Sequence, residues 1–273
     1  MSGAQVTSLY GAGACKLSCG DAVYTATLAS LGAAASWSMD EVGATFVDSI
    51  GGRNGAAQGS FTKGVAGLVA GGKAAKFTGA GSVTVPYDAL WSSPSFSVAA
   101  WVTSDGMAGS TRDIVSTRTA PNSPYNGWEL RVGLSTNLQF DVGSNNAEAL
   151  LTGPVASPGQ PYFVVGTYDA ATKTSSFYVN GVVKATQANA AFTGTISPLD
   201  LGRIVNGDNL YLGVEDGVAC FKEALGAADV ARLYSAGSCQ SARAAAAPPA
   251  PAGAEGRRRS RSRRGRVRRG SRA

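Results

Sequence analysis

Alternating apolar and polar positions form the main pattern of the chain from Lys73 onwards. The clearest run is SFSVAAWVTS at 95–104, which places Phe96 and Val98 on one face and Trp101 on the other. Successive side chains of a strand point to opposite faces, and here both faces are apolar. The run therefore predicts a strand that is covered on both sides, as in a sandwich of two sheets.

Further strands and one hairpin are predicted in the same part of the chain. AAKFTGAGSVTVPY (74–87) indicates two short strands joined at a Thr-Gly-Ala-Gly segment. SSFYVNGVVKAT (175–186) carries Asn180-Gly181 between two strand-like runs, and this dipeptide tolerates the positive φ angles of a type I′ hairpin turn. Comparable strand patterns recur at 113–118, 128–134, 138–143, 161–169 and 211–225.

One helix is predicted after the last of these strands. Val230, Leu233 and Tyr234 share one face of a helix at 227–236, and Gly237 is placed as its C-terminal stop. The preceding runs are rich in Thr, Val, Ser and aromatic residues, which suit strands better than helices. The whole pattern predicts an all-β fold, a two-sheet antiparallel jelly-roll sandwich with one short C-terminal helix.

Composition divides the chain into four parts: a poorly structured leader at 1–22, a β domain at 23–240, an Ala/Pro-rich linker at 241–256 and a disordered basic tail at 257–273. The overall charge of +6 is uneven, because residues 241–273 carry eleven arginines and one glutamate. The preceding residues carry 13 basic and 17 acidic side chains, so the β domain is mildly acidic. The Arg-rich tail could contact an anionic polymer, a membrane surface or nucleic acid, or it could be dispensable.

Four cysteines lie near the two ends of the predicted domain, at Cys15, Cys19, Cys220 and Cys239. An even number suits two disulfides in a secreted protein, and Cys15–Cys19 with Cys220–Cys239 is one of three possible pairings. Free thiols are the main alternative, and the spacing fits a zinc site poorly. The chain has no apolar run of about 20 residues and no signal-peptide pattern at its start. We expect an extracellular, cell-surface or virion location.

Several stretches together resemble the motifs of a known family. WSMDEVGATFVDSIGG (37–52), KAAKFTGAGSVTVPY, SPSFSVAAWV, SSFYVNGVVKAT and YLGVEDGVACFKEALGAADVARLY occur in the order typical of LamG-like jelly-roll domains. These domains belong to the laminin G and concanavalin A-like lectin/glucanase superfamily, and the resemblance covers about residues 23–237. It implies the jelly-roll fold. It says less about function, because this fold serves lectins, adhesion modules, enzyme accessory domains and surface parts.

The resemblance also implies a structural calcium ion near the start of the domain. Its ligands would include Glu41 and Asp216, with Asp40 and Asp48 as further candidates and backbone carbonyls completing the shell. Glu215 precedes Asp216, so either of these two acids could be the one that points inward. Asp48 has an alternative role, in which its carboxylate binds the backbone of its own turn.

Catalysis by imidazole is excluded, because the chain contains no histidine. This removes Ser-His-Asp and Cys-His mechanisms, HExxH metalloproteases and histidine zinc sites. Glycoside hydrolysis by two carboxylates remains possible in principle. Several enzymes of the superfamily carry these acids in a Glu-x-Asp-x-x-Glu strand, and Glu215, Asp216 and Glu223 do not reproduce it. We therefore do not expect an enzyme.

The loop TRTAPNSPYNGW (117–128) is the best candidate for ligand binding, because loops at the rim of a sandwich often carry function. Tyr125 and Trp128 could stack on a sugar, with Arg118 and Asn126 as polar neighbours. The leading hypothesis is a non-catalytic module that binds a glycan or a surface protein. A structural part of a phage-tail-like virion or a cell surface, its tail docked on an acidic partner, is the alternative, and a glycoside hydrolase is the third.

Overall fold

The computed structural model describes residues 19–106, 108–119 and 124–239. The predicted linker (241–256), the basic tail (257–273) and Cys15 lie outside the described residues, as do residues 1–18 of the predicted leader. Within the described part, no helix is long and apolar enough to cross a membrane.

Sixteen strands, two α-helices and two short 3₁₀ helices make up the described residues. The helices are α1 (Asp21–Ser30) and α2 (Ala227–Ser238), and the 3₁₀ segments are Ala89–Ser92 and Val205–Gly207. The strands are β1 (Ala33–Trp37), β2 (Thr45–Phe46), β3 (Gly55–Gly59), β4 (Thr62–Ala66), β5 (Lys73–Thr78), β6 (Gly81–Val85), β7 (Phe96–Ser104), β8 (Arg112–Ser116), β9 (Gly127–Val132), β10 (Asn137–Ser144), β11 (Ala147–Val155), β12 (Pro161–Asp169), β13 (Thr174–Val179), β14 (Val182–Gln187), β15 (Leu199–Leu201) and β16 (Leu212–Phe221).

The strands form two antiparallel sheets of eight strands each. Sheet A has the order β14-β13-β12-β7-β16-β5-β4, and β1 also pairs with β16 beyond a bulge that follows Asp216. Sheet B has the order β11-β10-β9-β8-β15-β6-β3-β2. The two sheets stack as a concanavalin A-like jelly roll, so the predicted fold class is confirmed.

Strand β7 shows how the core is divided. All nine of its residues are buried. Phe96 and Val98 enter the core between the two sheets, whereas Ala99 and Trp101 point to the outer face of sheet A. That outer face is covered by the two helices, which contribute Tyr24, Leu28, Val230 and Leu233 to a second apolar cluster. The sequence predicted this two-sided coverage, although α1 is an addition to the single predicted helix.

Two local predictions have different outcomes. Asn180 and Gly181 have φ angles of 52° and 78° and connect β13 to β14, so the predicted hairpin is confirmed. The strands of AAKFTGAGSVTVPY are also present as β5 and β6, but they do not pair with each other. Gly79, at a φ of 76°, turns the chain from sheet A to sheet B between them.

The cysteines differ from the suggested pairing. Cys19 and Cys239 form a disulfide that joins the start of α1 to the end of α2, and Gly20 N also donates to Ala236 O at 2.8 Å. Cys220 is a free, buried thiol on β16, so a Cys220–Cys239 bond is wrong. Burial raises the pKa of this thiol above its usual range, which keeps it protonated.

Candidate functional site

The outer face of sheet B carries a row of polar side chains that neither of the two described helices covers. Within each strand the apolar residues point into the core, as Trp128 and Leu130 do on β9, and the intervening residues point outward. The backbone register places Asp200 opposite Ser116, Ser116 opposite Glu129, and Glu129 opposite Asp141. These four residues, which we call the carboxylate row, cross four neighbouring strands and span roughly 14 Å at the usual strand spacing.

A second polar row runs beside the first. Asp113 lies opposite Arg131, Arg131 opposite Gln139, and Gln139 opposite Thr152. Arg131 Nε donates to Gln139 Oε1 at 3.0 Å, and Asp113 Oδ2 accepts from Asn209 Nδ2 at 3.1 Å. The outer face of sheet B is therefore a hydrogen-bonded polar surface.

Arg118 holds the acids of this face together. Its Nη1 lies 2.7 Å from both Glu129 Oε1 and Asp141 Oδ2, and its Nη2 contacts Glu148. Arg131 contacts the same Oε1 of Glu129. The two arginines offset only part of the free-energy cost of burying these carboxylates next to one another. Burial and then the neighbouring Glu129 raise the pKa of Asp141 to about 7.

Several carboxylate oxygens of this face remain unpaired. Among the described residues, Asp200 Oδ2, Asp113 Oδ1, Glu129 Oε2 and Asp141 Oδ1 are buried without a hydrogen-bond partner, one on each of β15, β8, β9 and β10. Burial, and then Glu129, raise the pKa of Asp113 well above its usual value. Buried polar atoms normally have a partner, because leaving one unpaired costs about 1–3 kcal/mol. The face therefore offers acceptors for which the described side chains supply no donor.

A groove opens onto this face. One cavity of about 200 Å³ is lined by Arg118, Tyr125, Glu129, Arg131, Glu148 and Asn209. A second cavity of about 200 Å³ shares Thr111 and Arg131 with the first and continues past Gln139 to Leu134 and Leu150. We call these two cavities together the groove.

Tyr125 forms one wall of the groove, and Asn126 follows it in the chain. The Tyr125 ring lies over the guanidinium of Arg118, with 4.5 Å from the ring centroid to Cζ. Tyr125 N donates to Asn146 Oδ1 at 3.0 Å, and Asn145 N donates to Asn126 Oδ1 at 2.7 Å. These bonds attach the segment to the β10–β11 turn. Arg118 and Tyr125 are thus in direct contact, whereas Asn126 contacts the β10–β11 turn.

Trp128 does not belong to this site. Its side chain is 2% exposed, stacks on Phe96 in the core, and donates from Nε1 to Trp91 O at 3.0 Å. A ring in this position has no face to offer a ligand, because β9 turns Trp128 inward and its neighbour Glu129 outward. The predicted ligand-binding role of Trp128 is therefore corrected: the residue belongs to the core.

The acids of sheet B, Glu129, Asp141 and Asp113, are not among the site residues that the sequence analysis names. They lie in predicted strands, and charged residues are seldom buried unless they are paired, so acids at these positions are themselves an indication of a polar site. Three adjacent predicted strands that each carry an outward acid indicate a shared polar face, provided that the strands are neighbours. That order could not be read from the sequence.

The predicted calcium ligands lie at the other end of the sandwich, and Asp48 has the backbone role considered above. Its carboxylate is buried and accepts four backbone N–H groups, at 2.8–3.1 Å, from Ser36, Ile50, Gly51 and Arg53. Glu41 Oε1 accepts from Val47 N at 2.8 Å, whereas Glu41 Oε2 is buried without a partner in the described structure.

Asp216 and Asp40 lie at the loop that precedes β5. Asp216 Oδ2 accepts from the backbone N of Leu68 at 2.6 Å and of Val69 at 2.8 Å, and Asp40 accepts from the backbone N of Lys73. Burial raises the pKa of Asp216 to about 7, and Asp40 and Asp21 add to the rise. No group of three or more Asp, Glu, Cys or His side chains in the described residues is arranged to hold a metal ion. Any ion here would need backbone carbonyls for most of its shell.

The three acids considered for hydrolysis are not assembled. Glu215 lies opposite Ala75 and Val102, so it faces the core between the sheets. Asp216, the next residue, points to the helix-covered side, and Glu223 is exposed beyond the end of β16. Burial raises the pKa of Glu215 well above its usual value. These acids share no cleft.

Comparison with known proteins agrees with the observed fold. The family model described as the concanavalin A-like lectin/glucanases superfamily matches residues 77–231, which is more than half of the chain. No curated protein sequence matches.

Solved structures of similar fold include both binding domains and enzymes. Domain 4 of AbnA, an extracellular arabinanase from Geobacillus stearothermophilus solved with arabinotriose, has 25% identity and a TM-score of 0.59, over 74% of this chain and 98% of that domain. The receptor-binding domain of a botulinum neurotoxin C/D mosaic has 15% identity and a TM-score of 0.56, over 74% of this chain and 50% of that one. Trypanosoma rangeli sialidase with sialic acid has 16% identity and a TM-score of 0.58, over 75% and 33%. The last two likenesses show the fold alone.

Proposed function

The chain belongs to the concanavalin A-like lectin/glucanase superfamily, and from this premise we propose that it is a non-catalytic carbohydrate-binding module that holds a glycan in the groove of sheet B. The observation that carries the proposal is the set of unpaired carboxylate oxygens on four adjacent strands. Sugar hydroxyl groups are donors, and a row of fixed acceptors is what an oligosaccharide can satisfy along its length.

The groove also provides the other elements of a sugar site. Tyr125 offers an aromatic ring at its wall, and aromatic residues give binding sites a large apolar surface. Glu148 and Asn209 add polar groups at the opening. The arabinanase domain, which is similar over almost its whole length and was solved with arabinotriose, supports a neutral oligosaccharide as a first ligand to test.

The test is to titrate the protein with arabinotriose and to screen it on a glycan array. Tyr125→Ala should weaken binding of any hit by about tenfold, in the range expected for an aromatic contact. Tyr87→Ala is a matched control, because Tyr87 is 46% exposed and does not line the groove. No binding to any glycan, or equal losses in the two variants, would contradict the proposal.

The proposal excludes hydrolysis because of Arg118. Two carboxylates of a glycosidase stand roughly 5–10 Å apart with the bond to be cleaved between them. Glu129 and Asp141 are the closest to this arrangement, but the Arg118 Nη1 lies between them, 2.7 Å from each. Chromogenic arabinosides and glucosides should therefore remain intact. If the wild-type protein hydrolysed one of these substrates and Glu129→Gln did not, the function of this face would be catalysis and not binding.

We also propose a structural calcium ion near Asp216. Support comes from the carboxylates that meet here and from the unpaired Oε2 of Glu41. Burial and then the charge of Asp40 raise the pKa of Asp21, and burial followed by the charges of Asp40 and Asp21 raises the pKa of Asp216. A bound ion stabilises the fold by RT ln(1 + [L]/Kd). The melting temperature should therefore rise with millimolar Ca²⁺ and fall with a chelator, and the effect should disappear in Asp216→Asn. An unchanged melting temperature would remove calcium from the proposal.

An extracellular or surface location completes the proposal. The Cys19–Cys239 disulfide suits an oxidising compartment, because cytosolic thiols are kept reduced. A role as a structural component of a virion or cell surface, with the Arg-rich tail bound to an acidic partner, is compatible with the same fold. Deleting residues 241–273 and measuring surface attachment would test that part separately.

A further inference from the structure

We infer that the groove selects uncharged glycans and rejects glycans that carry a carboxylate. The inference rests on the proposed function and concerns the same site. The selectivity follows from the charges that line the groove and from the direction in which their hydrogen-bonding groups point.

The two arginines of the groove are already bound. Arg118 directs one terminal nitrogen to Glu129 and Asp141 and the other to Glu148. Arg131 directs Nη1 to Glu129 and Nε to Gln139. A sugar carboxylate is usually recognised by a free, forked guanidinium, and here Arg118 is bound to three acids of the protein and Arg131 to one acid and one amide.

The carboxylate oxygens that remain unpaired at the groove are hydrogen-bond acceptors. Glu129 Oε2 is unpaired at the groove, and Asp113 Oδ1 and Asp141 Oδ1 lie beside it without partners in the described structure. A neutral sugar can donate its hydroxyl groups to them. A sugar carboxylate would instead bring a further negative charge to a place where burial and then the neighbouring Glu129 already raise the pKa of Asp141 to about 7.

The test compares acidic glycans with uncharged partners of related structure. Trigalacturonate and its methyl ester are one pair, and 3′-sialyllactose and lactose are another, on an array that also carries arabinotriose. We expect binding to neutral members, with acidic members at least about tenfold weaker, since like charges at an interface are strongly unfavourable. Equal or tighter binding of the acidic members would overturn the inference and leave the proposed function standing. No binding to any glycan would reject the proposed function itself, and the inference with it.

A charge variant tests the physical cause. Glu148→Gln removes the acid bound to Arg118 Nη2 at the groove opening, and it should strengthen binding of acidic glycans by about tenfold relative to their neutral partners. Glu223→Gln is the matched control, because Glu223 is exposed and lies outside the groove. If Glu148→Gln and Glu223→Gln have the same charge preference as the wild type, the bound guanidinium is not the cause, and the inference is wrong.

Discussion

Breaking the Cys19–Cys239 disulfide should destabilise the fold strongly. The bond joins residues that are 220 apart in sequence, so it closes almost the whole described domain into one loop. In the chain-entropy description, a crosslink raises the free energy of the unfolded state by an amount that grows with the logarithm of loop length. For a loop of this size the expression predicts roughly 5 kcal/mol at 25 °C.

This magnitude is large relative to the total stability of a domain. Native domains are typically stable by about 5–15 kcal/mol, so the crosslink could supply a third or more of it. For a domain of this size, about 1 kcal/mol corresponds to roughly 2–4 °C in melting temperature. We therefore expect Cys19→Ser/Cys239→Ser to lower the melting temperature by about 10–20 °C.

The assay is urea unfolding of the full chain in a Cys15→Ser background, which prevents exchange with the remaining N-terminal cysteine. The oxidised protein is compared with the reduced protein and with the double serine variant. Reduction should reproduce the effect of the double variant and should have no effect on the double variant itself. Cys220→Ala is a control, since Cys220 is a free, buried thiol and its change leaves the crosslink intact.

A difference below about 1 kcal/mol between oxidised and reduced protein would refute the reasoning. It would mean either that the unfolded chain is already compact, or that the bond strains the native fold. Peptide mapping by mass spectrometry must also find Cys19 linked to Cys239. Any other linkage would contradict the structure directly.

Two further predictions concern buried carboxylates. Burial raises the pKa of Glu215 well above its usual value, so the contribution of this group to stability should be full below its unfolded pKa of about 4.3 and should decline above it, by at most about 1.4 kcal/mol per pH unit. Glu215→Gln should make the decline of stability with pH shallower in urea titrations at pH 5–8, and an unchanged slope would show that the pKa of Glu215 is not raised. Asp48→Ala should cost about 3 kcal/mol or more in urea unfolding, because four backbone N–H groups lose their acceptor, and a loss below about 1 kcal/mol would show that water replaces it.

The fold was predictable to the extent that it depends on local alternation. The two-sided pattern around Trp101 and the Asn180-Gly181 turn depend on neighbours in sequence, and both are present as predicted. The order of strands in each sheet depends on long-range pairing. The sequence therefore indicated two short strands joined at the segment around Gly79 but not that this segment carries the chain from one sheet to the other.

The candidate site was predictable only in its loop. The sequence indicates Tyr125 because loops at the rim of a sandwich often carry function. Glu129 and Asp141 become candidates only because β9 and β10 lie side by side. Trp128 was misassigned because one residue of register separates the core from the outer face of a strand. The prediction of calcium ligands depended on the family resemblance. A resemblance indicates which carboxylates could bind the ion, but not which backbone carbonyls would complete its coordination shell.

The two ends of the described fold meet at one point. Cys19 and Cys239 have Cα atoms 4.9 Å apart, next to the helices that cover sheet A, while the groove opens on the outer face of sheet B. A fusion partner, a bead or a host-protein loop could therefore be attached at either end without covering the groove. The domain is suited to being grafted as a single cassette that presents its sheet B face to the surroundings.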